Sequence, residues 1–399
     1  MAQIAVIERK CTSCGACASS CPFGAIDMKD GKPEMNAACK VCGICVKTCP
    51  SGAIVKLETR TKSVDKSQWK DVLVFAETGR NGLHPVSLEL IGKARELCRS
   101  VPGFKVHALV IGDGVGKAAA SLLHWGVDKV LVYDAPELSF FRADAYAACA
   151  EDCIRHLKPS VVLFGATSLG RSLAPRLSTR FHTGLTADCT RLELRENTDL
   201  VQIRPAFGGN IMAQIITSST RPQFATVRYK VMDAGERQAE PSGEIIRRAI
   251  PKAALASPVV PVSATPLPPN KTISDADVLV AGGRGLNKES DLDLIRRLAA
   301  ALHGDWAVSR PLVEKGWAPA SRQIGLSGRT VKPKLLITCG ISGAIQFTAC
   351  MNASEHIVAI NTDPDAPIFE TAHVGVVGDL YEIVPELCKR LEADAHEAL

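Results

Sequence analysis

The chain lacks any apolar run that approaches the roughly eighteen residues needed to cross a bilayer, which argues against membrane insertion. Its first ten residues also lack the apolar core of a secretion signal, so we expect a cytoplasmic protein. The net charge of +5 is dispersed, without a basic cluster or interleaved aromatics, and we expect no nucleic-acid partner. Aromatic residues make up only 5% of a composition that is 46% hydrophobic, which is ordinary for a soluble globular protein of two or three domains.

Residue patterns for acid–base or nucleophilic catalysis are also missing. We find no His–Asp, Ser–His or paired-carboxylate arrangement in a motif context. The nine histidines are isolated, and we interpret His182 and His373 as packing or solvated residues. Neither GxGxxG nor a P-loop occurs. We therefore assign no catalytic residue.

Cysteine, in contrast, is abundant, and eight of the 15 cysteines lie in two copies of one phrase. The copies read CTSCGACASSCP from Cys11 and CKVCGICVKTCP from Cys39, and Gly-Ala-Ile follows closely after each. They lie in register, 28 residues apart, and so form an internal repeat. This spacing is typical of bacterial ferredoxins with two iron–sulfur clusters and predicts transfer of single electrons.

In such ferredoxins the fourth cysteine of each phrase binds the other cluster. We therefore predict one [4Fe-4S] cluster on Cys11, Cys14, Cys17 and Cys49, and a second on Cys39, Cys42, Cys45 and Cys21. A zinc ribbon would leave the third cysteine of each triplet idle, and a disulfide scaffold would need an oxidising compartment. The other seven cysteines, including Cys149 and Cys153 one helical turn apart, are interpreted as packing residues.

Two changes in composition suggest where domains begin and end. Residues 58–69 are polar and charged, and residues 251–269 contain six prolines without a periodic pattern, so both segments are interpreted as linkers. The resulting prediction is a ferredoxin-like domain at 1–58, a linker at 59–69, an α/β domain at 70–250, a Pro-rich linker at 251–272 and a second α/β domain at 273–399.

Between the linkers, β-branched runs alternate with amphipathic stretches, which is typical of a parallel sheet covered by helices on both faces. The runs lie at 72–76, 105–112, 129–134 and 161–167. Three further runs within 200–229 have no helices between them and predict an antiparallel extension. After the second linker, a strand at 277–281 runs into Gly282-Gly283-Arg284-Gly285, and a helix is expected over 289–302. The predicted class is thus α/β, with two doubly wound parallel-sheet domains preceded by a small α+β ferredoxin domain.

Residues 339–346, CGISGAIQ, follow a predicted strand and open a predicted helix. In doubly wound sheets, ligands bind at the carboxyl ends of the strands, and the free N–H groups of a helix start suit a pyrophosphate.

The stretch 335–369, LLITCGISGAIQFTACMNASEHIVAINTDPDAPIF, resembles the signature of the electron-transfer flavoprotein alpha subunit. The resemblance continues at GGRG (282–285), Ser309-Arg310, QIGLSG (323–328) and GDL (378–380), and more weakly over 72–229. It implies one FAD in the C-terminal domain. It also implies an obligate heterodimer with a beta subunit that has its own FAD or AMP.

The resemblance implies roles for particular residues. Arg284 would lie against the flavin ring and favour its negatively charged reduced forms, and the Ser327 hydroxyl would face the reactive N5 edge. The ring and ribityl chain would contact Gln323, Ile324, Gly325, Leu326 and Ser327. The pyrophosphate would contact Ser342, Gly343, Ala344, Ile345 and Gln346. Asn361, Asp379 and Leu380 would hold the adenosine end, and Ser309, Arg310, Gly340 and Phe347 complete the FAD-binding set.

One position departs from the family pattern, because its common Gln-His is here Gln346-Phe347. A polar donor on the pyrimidine side of the flavin is therefore replaced by an apolar ring. Without a replacement donor, this loss should weaken stabilisation of the reduced ring by about 1.5 to 3 kcal/mol. Ser342, Gln346 or a backbone amide would be such a donor.

Residues 314–317, EKGW, and the fused cysteine repeat resemble alpha subunits of electron-bifurcating systems. That resemblance implies electron flow between NADH, ferredoxin and a partner acyl-CoA or hydroxyacid dehydrogenase, with 251–269 acting as a hinge for the flavin domain. Activity would arise only in complex with the partners. The alternatives are a plain carrier between dehydrogenases and a quinone reductase, a self-contained ferredoxin-dependent reductase, and a nucleotide-sensing module of the same fold.

Overall fold

The cysteine-rich segment forms a small unit of its own, Met1–Ser63, in the computed structural model of the chain. The structure describes residues 3–36, 38–57, 64–79, 82–206, 211–265 and 272–397. The elements of this unit are β1 (Gln3–Val6), α1 (Ala16–Ser19), β2 (Ile26–Lys29), β3 (Lys32–Met35), α2 (Ile44–Thr48) and β4 (Ile54–Leu57). Strands β1 and β4 pair antiparallel, as do β2 and β3. The predicted α+β ferredoxin-like domain is confirmed.

The second unit, Val64–Leu399, begins with a seven-stranded parallel sheet. Its elements up to the last helix of this part are β5 (Val72–Phe75), β6 (Thr78–Gly79), β7 (Gly82–Leu83), α3 (Pro85–Arg99), β8 (Val106–Gly112), α4 (Gly116–Leu122), β9 (Lys129–Asp134), α5 (Ala143–Leu157), β10 (Val161–Gly165), α6 (Ser168–Arg180), β11 (Leu185–Cys189), β12 (Arg191–Leu194), β13 (Leu200–Ala206), β14 (Ile211–Ile216), β15 (Gln223–Val227), β16 (Glu244–Arg247) and α7 (Lys252–Leu255). The strand order is β11-β15-β10-β5-β8-β9-β16.

Both faces of this sheet are buried, as the alternation along β5 shows. Val72 and Val74 pack on one face with residues of α3, while Leu73 and Phe75 pack on the other with residues of α5 and α6. Cys149 and Cys153 lie fully buried in the second layer. Two buried faces per strand explain the continuous apolar runs in the sequence, and the prediction of a doubly wound parallel sheet is confirmed.

The predicted antiparallel extension is correct for two of its three runs. Strands β12, β13 and β14 form a separate antiparallel sheet, but β15 lies in the parallel sheet between β10 and β11. The prediction was wrong for β15 because its apolar run is too short to distinguish an antiparallel hairpin strand from a buried parallel one. All five residues of β15 are buried, as expected of an interior strand.

The C-terminal part of the second unit contains a five-stranded parallel sheet in the order β18-β17-β19-β20-β21. Its elements are β17 (Val278–Gly282), α8 (Leu292–Ala301), β18 (Asp305–Val308), α9 (Arg310–Glu314), β19 (Leu335–Cys339), α10 (Ile345–Thr348), β20 (His356–Asn361), α11 (Ile368–Thr371), β21 (Val374–Val377) and α12 (Leu380–Glu397). Apolar layers cover both faces, so this sheet is also doubly wound. No helix in the described ranges is both long and apolar enough to cross a membrane.

The two predicted linkers lie partly outside the described residues, at 58–63 and 266–271. Within the rest of the first linker, Lys66 pairs with Asp199 at 2.7 Å and Trp69 packs against the core of the seven-stranded sheet. Helix α7 falls inside the second linker and buries Ala254 in the same core. Residues 64–69 and 252–255 are therefore packed onto the first α/β domain.

Candidate cofactor sites

The carboxyl ends of the parallel strands of the five-stranded sheet meet at one edge, and each is followed by a polar or glycine-rich turn. A cleft of about 700 Å³ opens there. Its lining comprises Arg284, Gly285, Ser309, Arg310, Pro311, Gln323, Ile324, Gly325, Leu326, Ser327, Gly340, Ile341, Ser342, Ala344, Gln346, Phe347, Ile360, Asn361, Thr362, Asp363, Ala366, Pro367, Gly378, Asp379 and Leu380. This is where an α/β sheet binds a nucleotide.

All but two of the predicted FAD-binding residues line this cleft. The exceptions are Gly343, which packs its backbone against Ile368, and Ile345, which is 42% exposed and lies in a neighbouring groove. Nine residues that were not predicted also line the cleft: Gly285, Pro311, Ile341, Ile360, Thr362, Asp363, Ala366, Pro367 and Gly378. Most of these directly flank a predicted residue near a strand end. That adjacency in the sequence is the signal that could have identified them.

Two glycine turns pack together at the floor of the cleft. The Gly283 amide donates to the Cys339 carbonyl at 2.9 Å, and the Gly285 amide donates to the Gly340 carbonyl at 2.9 Å. A Cβ on Gly283 would lie 2.4 Å from the Gly340 oxygen, and Gly340 has a φ of +63°. Side chains are therefore excluded at these positions, which leaves bare backbone that suits close approach of a pyrophosphate.

The segment between α9 and β19 forms one wall of the cleft. The Gln323 side-chain amide donates to the Ser327 hydroxyl at 2.7 Å, and the Leu326 amide donates to the Gln346 carbonyl at 2.9 Å. Because the Ser327 oxygen accepts from Gln323, its own proton is available to a group in the cleft. The loop thus holds one hydroxyl donor in a fixed position.

The two arginines at the cleft differ in their electrostatic environment. Arg310 pairs with Glu314 at 2.7 Å, so its charge is largely compensated. Arg284 is exposed and forms no salt bridge within the described part of the chain. Arg284 is therefore the cation better able to stabilise negative charge in the cleft.

Phe347 contributes an apolar ring to the cleft. It is 5% exposed and packs with Ile324, Ile341 and Ile368 in the core beneath the cleft. No hydrogen bond can come from this side chain. Ser342 and Gln346, the predicted replacement donors, both line the cleft.

At the other end of the cleft, the polar side chains brace the turns. The Asn361 amide group donates to the Ile341 carbonyl at 3.0 Å and its oxygen accepts from the Asp363 amide at 3.0 Å. The Asp379 carboxylate accepts from the Tyr381 amide at 2.9 Å at the start of α12. These bonds hold the turns after β20 and β21 in place around the cleft.

The cysteine-rich unit contains two further small cavities. One is lined by Cys11, Cys14, Cys17 and Cys49, and the other by Cys39, Cys42, Cys45 and Cys21. These are the two cross-ligated sets that the spacing predicts. Pairing of β1 with β4 and the short helices α1 and α2 bring each fourth cysteine to the triplet of the other repeat.

Four cysteines line each of these cavities. Among the described residues, no group of three or more His, Cys, Asp or Glu side chains is arranged to hold a single metal ion. A tetrahedral zinc site needs four such sulfurs around one ion, whereas the four irons of a cubane cluster each take one thiolate. The arrangement therefore fits clusters.

Backbone amides point at the sulfur atoms of both sets. The Ala25 amide donates to Sγ of Cys21 at 3.4 Å, and the Ala53 amide donates to Sγ of Cys49 at 3.3 Å. The Ser51 hydroxyl lies 3.5 Å from Sγ of Cys49 and lowers the pKa of that thiol to about 7. Donors of this kind stabilise thiolate ligands.

Comparison with known proteins identifies matching families for three parts of the chain. Family models match at residues 72–253 (electron transfer flavoprotein domain), 272–352 (electron transfer flavoprotein FAD-binding domain) and 10–54 (4Fe-4S dicluster domain).

Curated relatives match over most of the chain. A lactate dehydrogenase (NAD(+),ferredoxin) subunit LctC from Acetobacterium woodii is 52% identical over 94% of this chain and 90% of its own length. An electron transfer flavoprotein subunit alpha from Thermoanaerobacterium thermosaccharolyticum is 41% identical over 82% of this chain and 99% of its own. A FixB protein from Rhizobium meliloti is 41% identical over 81% of this chain and 94% of its own.

Proposed function

Since this chain belongs to the electron transfer flavoprotein alpha-subunit family, we propose that it joins NADH, ferredoxin and a hydroxyacid dehydrogenase in flavin-based electron bifurcation or its reverse, confurcation. The chain is an electron-transfer subunit with an FAD-binding domain and an iron–sulfur domain. The observation on which the proposal depends is that two four-cysteine cavities and a nucleotide cleft occur in one chain.

The relative named as a lactate dehydrogenase (NAD(+),ferredoxin) subunit favours a hydroxyacid over an acyl-CoA as the partner's substrate. Its match covers 94% of this chain, so it includes most of the cysteine-rich unit. The matches to the other two relatives cover only 82% and 81%. Similarity over the cysteine-rich unit supports ferredoxin as a further redox partner of this chain.

In the nucleotide cleft, bound FAD would supply one- and two-electron redox chemistry. The bare backbone of the turn at Gly340 would receive the pyrophosphate. Arg284 would stabilise negative charge on the flavin ring, and Ser327 would donate a hydrogen bond to it. Phe347 would exclude water from its side of the cleft. None of these side chains needs to exchange a proton with substrate.

In the cysteine-rich unit, each set of four cysteines would hold one [4Fe-4S] cluster, two in all, and Cys21 and Cys49 would tie the repeats together. Low-potential electrons would pass between this unit and ferredoxin. The eight ligand thiolates must stay reduced, which supports a cytoplasmic location. The beta subunit of the family would complete the heterodimer and bring its own FAD or AMP.

The test uses this chain co-purified without oxygen with its beta subunit and the dehydrogenase. We expect hydroxyacid-dependent reduction of NAD⁺ only when reduced ferredoxin is supplied, with one electron taken from ferredoxin for each electron taken from the hydroxyacid. Reduction of NAD⁺ by hydroxyacid at an undiminished rate without ferredoxin would refute confurcation. Replacing the hydroxyacid by an acyl-CoA substrate identifies the partner class.

The alternative is a plain carrier that moves electrons from dehydrogenases to a quinone reductase. The 41% identity to the Thermoanaerobacterium thermosaccharolyticum alpha subunit is compatible with it. A beta subunit that contains AMP and no second FAD would favour this alternative.

A further inference from the structure

The two cysteine phrases fold into nearly the same backbone, so the unit contains two sites with matching backbone geometry. Left-handed residues recur 28 positions apart with matching φ angles: Ser13 (56°) and Val41 (54°), Gly15 (71°) and Gly43 (79°), and Gly24 (57°) and Gly52 (59°). Helices α1 and α2 start one residue after equivalent glycines. Because the backbones match, a side chain that differs between equivalent positions is a difference between the two cluster environments.

One such pair of differing side chains lies close to Cys49 and Cys21, the fourth cysteines of the two phrases, which we call the bridging cysteines. Ser51 follows Cys49 by two residues, lines the first cavity and places its hydroxyl 3.5 Å from the cysteine sulfur. The equivalent position after Cys21 is Phe23, which lines the second cavity with an aromatic ring. The Cys49 sulfur therefore has a hydroxyl donor 3.5 Å away, whereas the Cys21 sulfur shares its cavity with the apolar ring of Phe23, which is 46% exposed.

Each of the two sulfurs also accepts a hydrogen bond from the amide four residues later in the chain. The amides of Ala53 and Ala25 donate to Cys49 and Cys21 at 3.3 and 3.4 Å. Each set also has a lysine close by: Lys40 lines the second cavity, and Lys32, which pairs with Glu8, interacts electrostatically with Cys11 of the first. The amide of Ser13 adds a bond to Cys11 at 3.5 Å, which acts in the same direction as Ser51.

A ligated thiolate carries no proton, so the Ser51 hydroxyl must be the donor in its bond to Cys49. A donor to a ligand sulfur stabilises the reduced cluster, which carries one more negative charge than the oxidised cluster. An apolar ring that displaces water does the opposite. Both differences raise the reduction potential of the first cluster relative to the second, because the first set has the hydroxyl and the second has the ring.

We propose that Ser51 and Phe23 separate the reduction potentials of the two clusters, so that the cluster on Cys11, Cys14, Cys17 and Cys49 has the higher potential. The proposal rests on the proposed function, since it requires both clusters. When one electron is shared within the unit, the cluster on the first set is the reduced one and the cluster on the second set remains oxidised. The second set is then the low-potential end of the unit.

The experiment is an anaerobic redox titration of the full-length chain, followed by the electron paramagnetic resonance of the reduced clusters. We expect two one-electron waves in the native chain. Ser51→Ala should shift only the upper wave, to a midpoint potential about 59 mV lower. For one electron, this shift reduces the ratio of reduced to oxidised cluster about tenfold at a fixed ambient potential. Phe23→Ser should raise only the lower wave.

Two further variants separate tuning from folding. Ser51→Thr keeps a hydroxyl and should retain the native upper wave. Ser19→Ala removes a hydroxyl of the same unit that donates to the Gly15 carbonyl at 3.3 Å, and should move neither wave. Iron and acid-labile sulfide are measured in every variant.

The outcomes distinguish this inference from the proposed function. A native chain with full iron content whose two waves coincide, or a Ser51→Ala variant that shifts the lower wave or neither, would overturn the inference alone. A native chain that binds no iron–sulfur cluster under anaerobic conditions would refute the proposed function as well.

Discussion

The guanidinium of Arg228 donates a hydrogen bond to the main-chain carbonyl of Leu326 at 2.8 Å. Arg228 follows β15 of the first α/β domain, whereas Leu326 lies in the loop that forms one wall of the nucleotide cleft. The same nitrogen contacts the Asp188 carboxylate at 3.1 Å, and Asp188 is held in turn by Arg171 at 3.0 Å. One α/β domain thus braces the cofactor loop of the other.

Replacing Arg228 should therefore weaken FAD binding without altering any residue of the cleft. We expect Arg228→Ala to raise the dissociation constant for FAD about fivefold, because about 1 kcal/mol of hydrogen bonding to the loop is lost. Calorimetric titration of the flavin-free protein measures this. The control is Lys332→Ala, which removes a more exposed pair with Asp233 and should change the constant little. Equal constants for Arg228→Ala and the native protein would contradict the role of this contact.

Arg284 and Arg310 provide a matched pair for the electrostatics of the cleft. Arg284→Gln should lower the flavin reduction potential by the equivalent of about 1 to 4 kcal/mol, because an uncompensated cation next to the cleft is lost. Arg310→Gln should lower it less, since Glu314 already compensates the charge of Arg310. Redox titration with dyes of known potential compares the two variants. A larger shift in Arg310→Gln would reverse this assignment.

Phe347 offers a test of how the flavin is tuned. Phe347→His restores the donor common in the family and should raise the flavin potential by the equivalent of about 1.5 to 3 kcal/mol. Phe347→Leu keeps the position apolar and serves as the control. If both variants show the same potential, another group, such as Ser342 or Gln346, already supplies the hydrogen bond.

The crossed ligation of the two clusters predicts which variants share a phenotype. Cys21→Ala and Cys42→Ala should lose the same cluster, leave about half of the iron, and show the same spectrum for the cluster that remains. Cys49→Ala and Cys14→Ala should lose the other cluster and share a different spectrum. Cys98 lines neither cavity, so the Cys98→Ala variant should keep all of the iron. Matching spectra for Cys21→Ala and Cys14→Ala would show that each phrase binds its own cluster.

Glu89 on α3 predicts a pH dependence of stability. Burial is the largest influence on this carboxyl group and raises its pKa from 4.5 to about 7, although the Lys230 amide donates to both of its oxygens. Between those pH values the unfolded chain is ionised at this position while the native chain keeps its proton. The free energy of unfolding therefore falls as pH rises through this window, by roughly 3 kcal/mol from this group, and the loss is complete above about pH 7.

The test compares urea unfolding of the native chain and Glu89→Gln at pH 5 and pH 8. We expect Glu89→Gln to gain stability relative to the native chain on going to pH 8, because glutamine does not titrate. Glu96→Gln on the same helix removes an exposed partner of Lys93 and should show no such gain. Parallel pH profiles for the native chain and Glu89→Gln would rule out the burial effect.

Much of the candidate site could be predicted from the sequence because its residues follow strands directly. Arg284, Ser309, Gly340, Asn361 and Asp379 each lie at or just beyond the end of a strand of one parallel sheet, and such ends necessarily share an edge. One of the two exceptions is instructive, since Ile345 lies among predicted pyrophosphate residues but lines a neighbouring groove instead of the cleft. On a short helix, neighbouring side chains face different directions, and the exact rotation is not visible in a motif.

The amino-acid sequence by itself determined the chemistry of this protein, because the cysteine spacing and the glycine turns are local patterns whose geometry follows from a few consecutive residues. Tertiary structure alone decided which groups tune that chemistry. Arg228 and Leu326 are far apart in the chain, and Ser51 and Phe23 act on different clusters because the fold places one beside the Cys49 sulfur and the other in the cavity that Cys21 lines. Such contacts depend on how separate elements pack, and no short stretch of sequence encodes them.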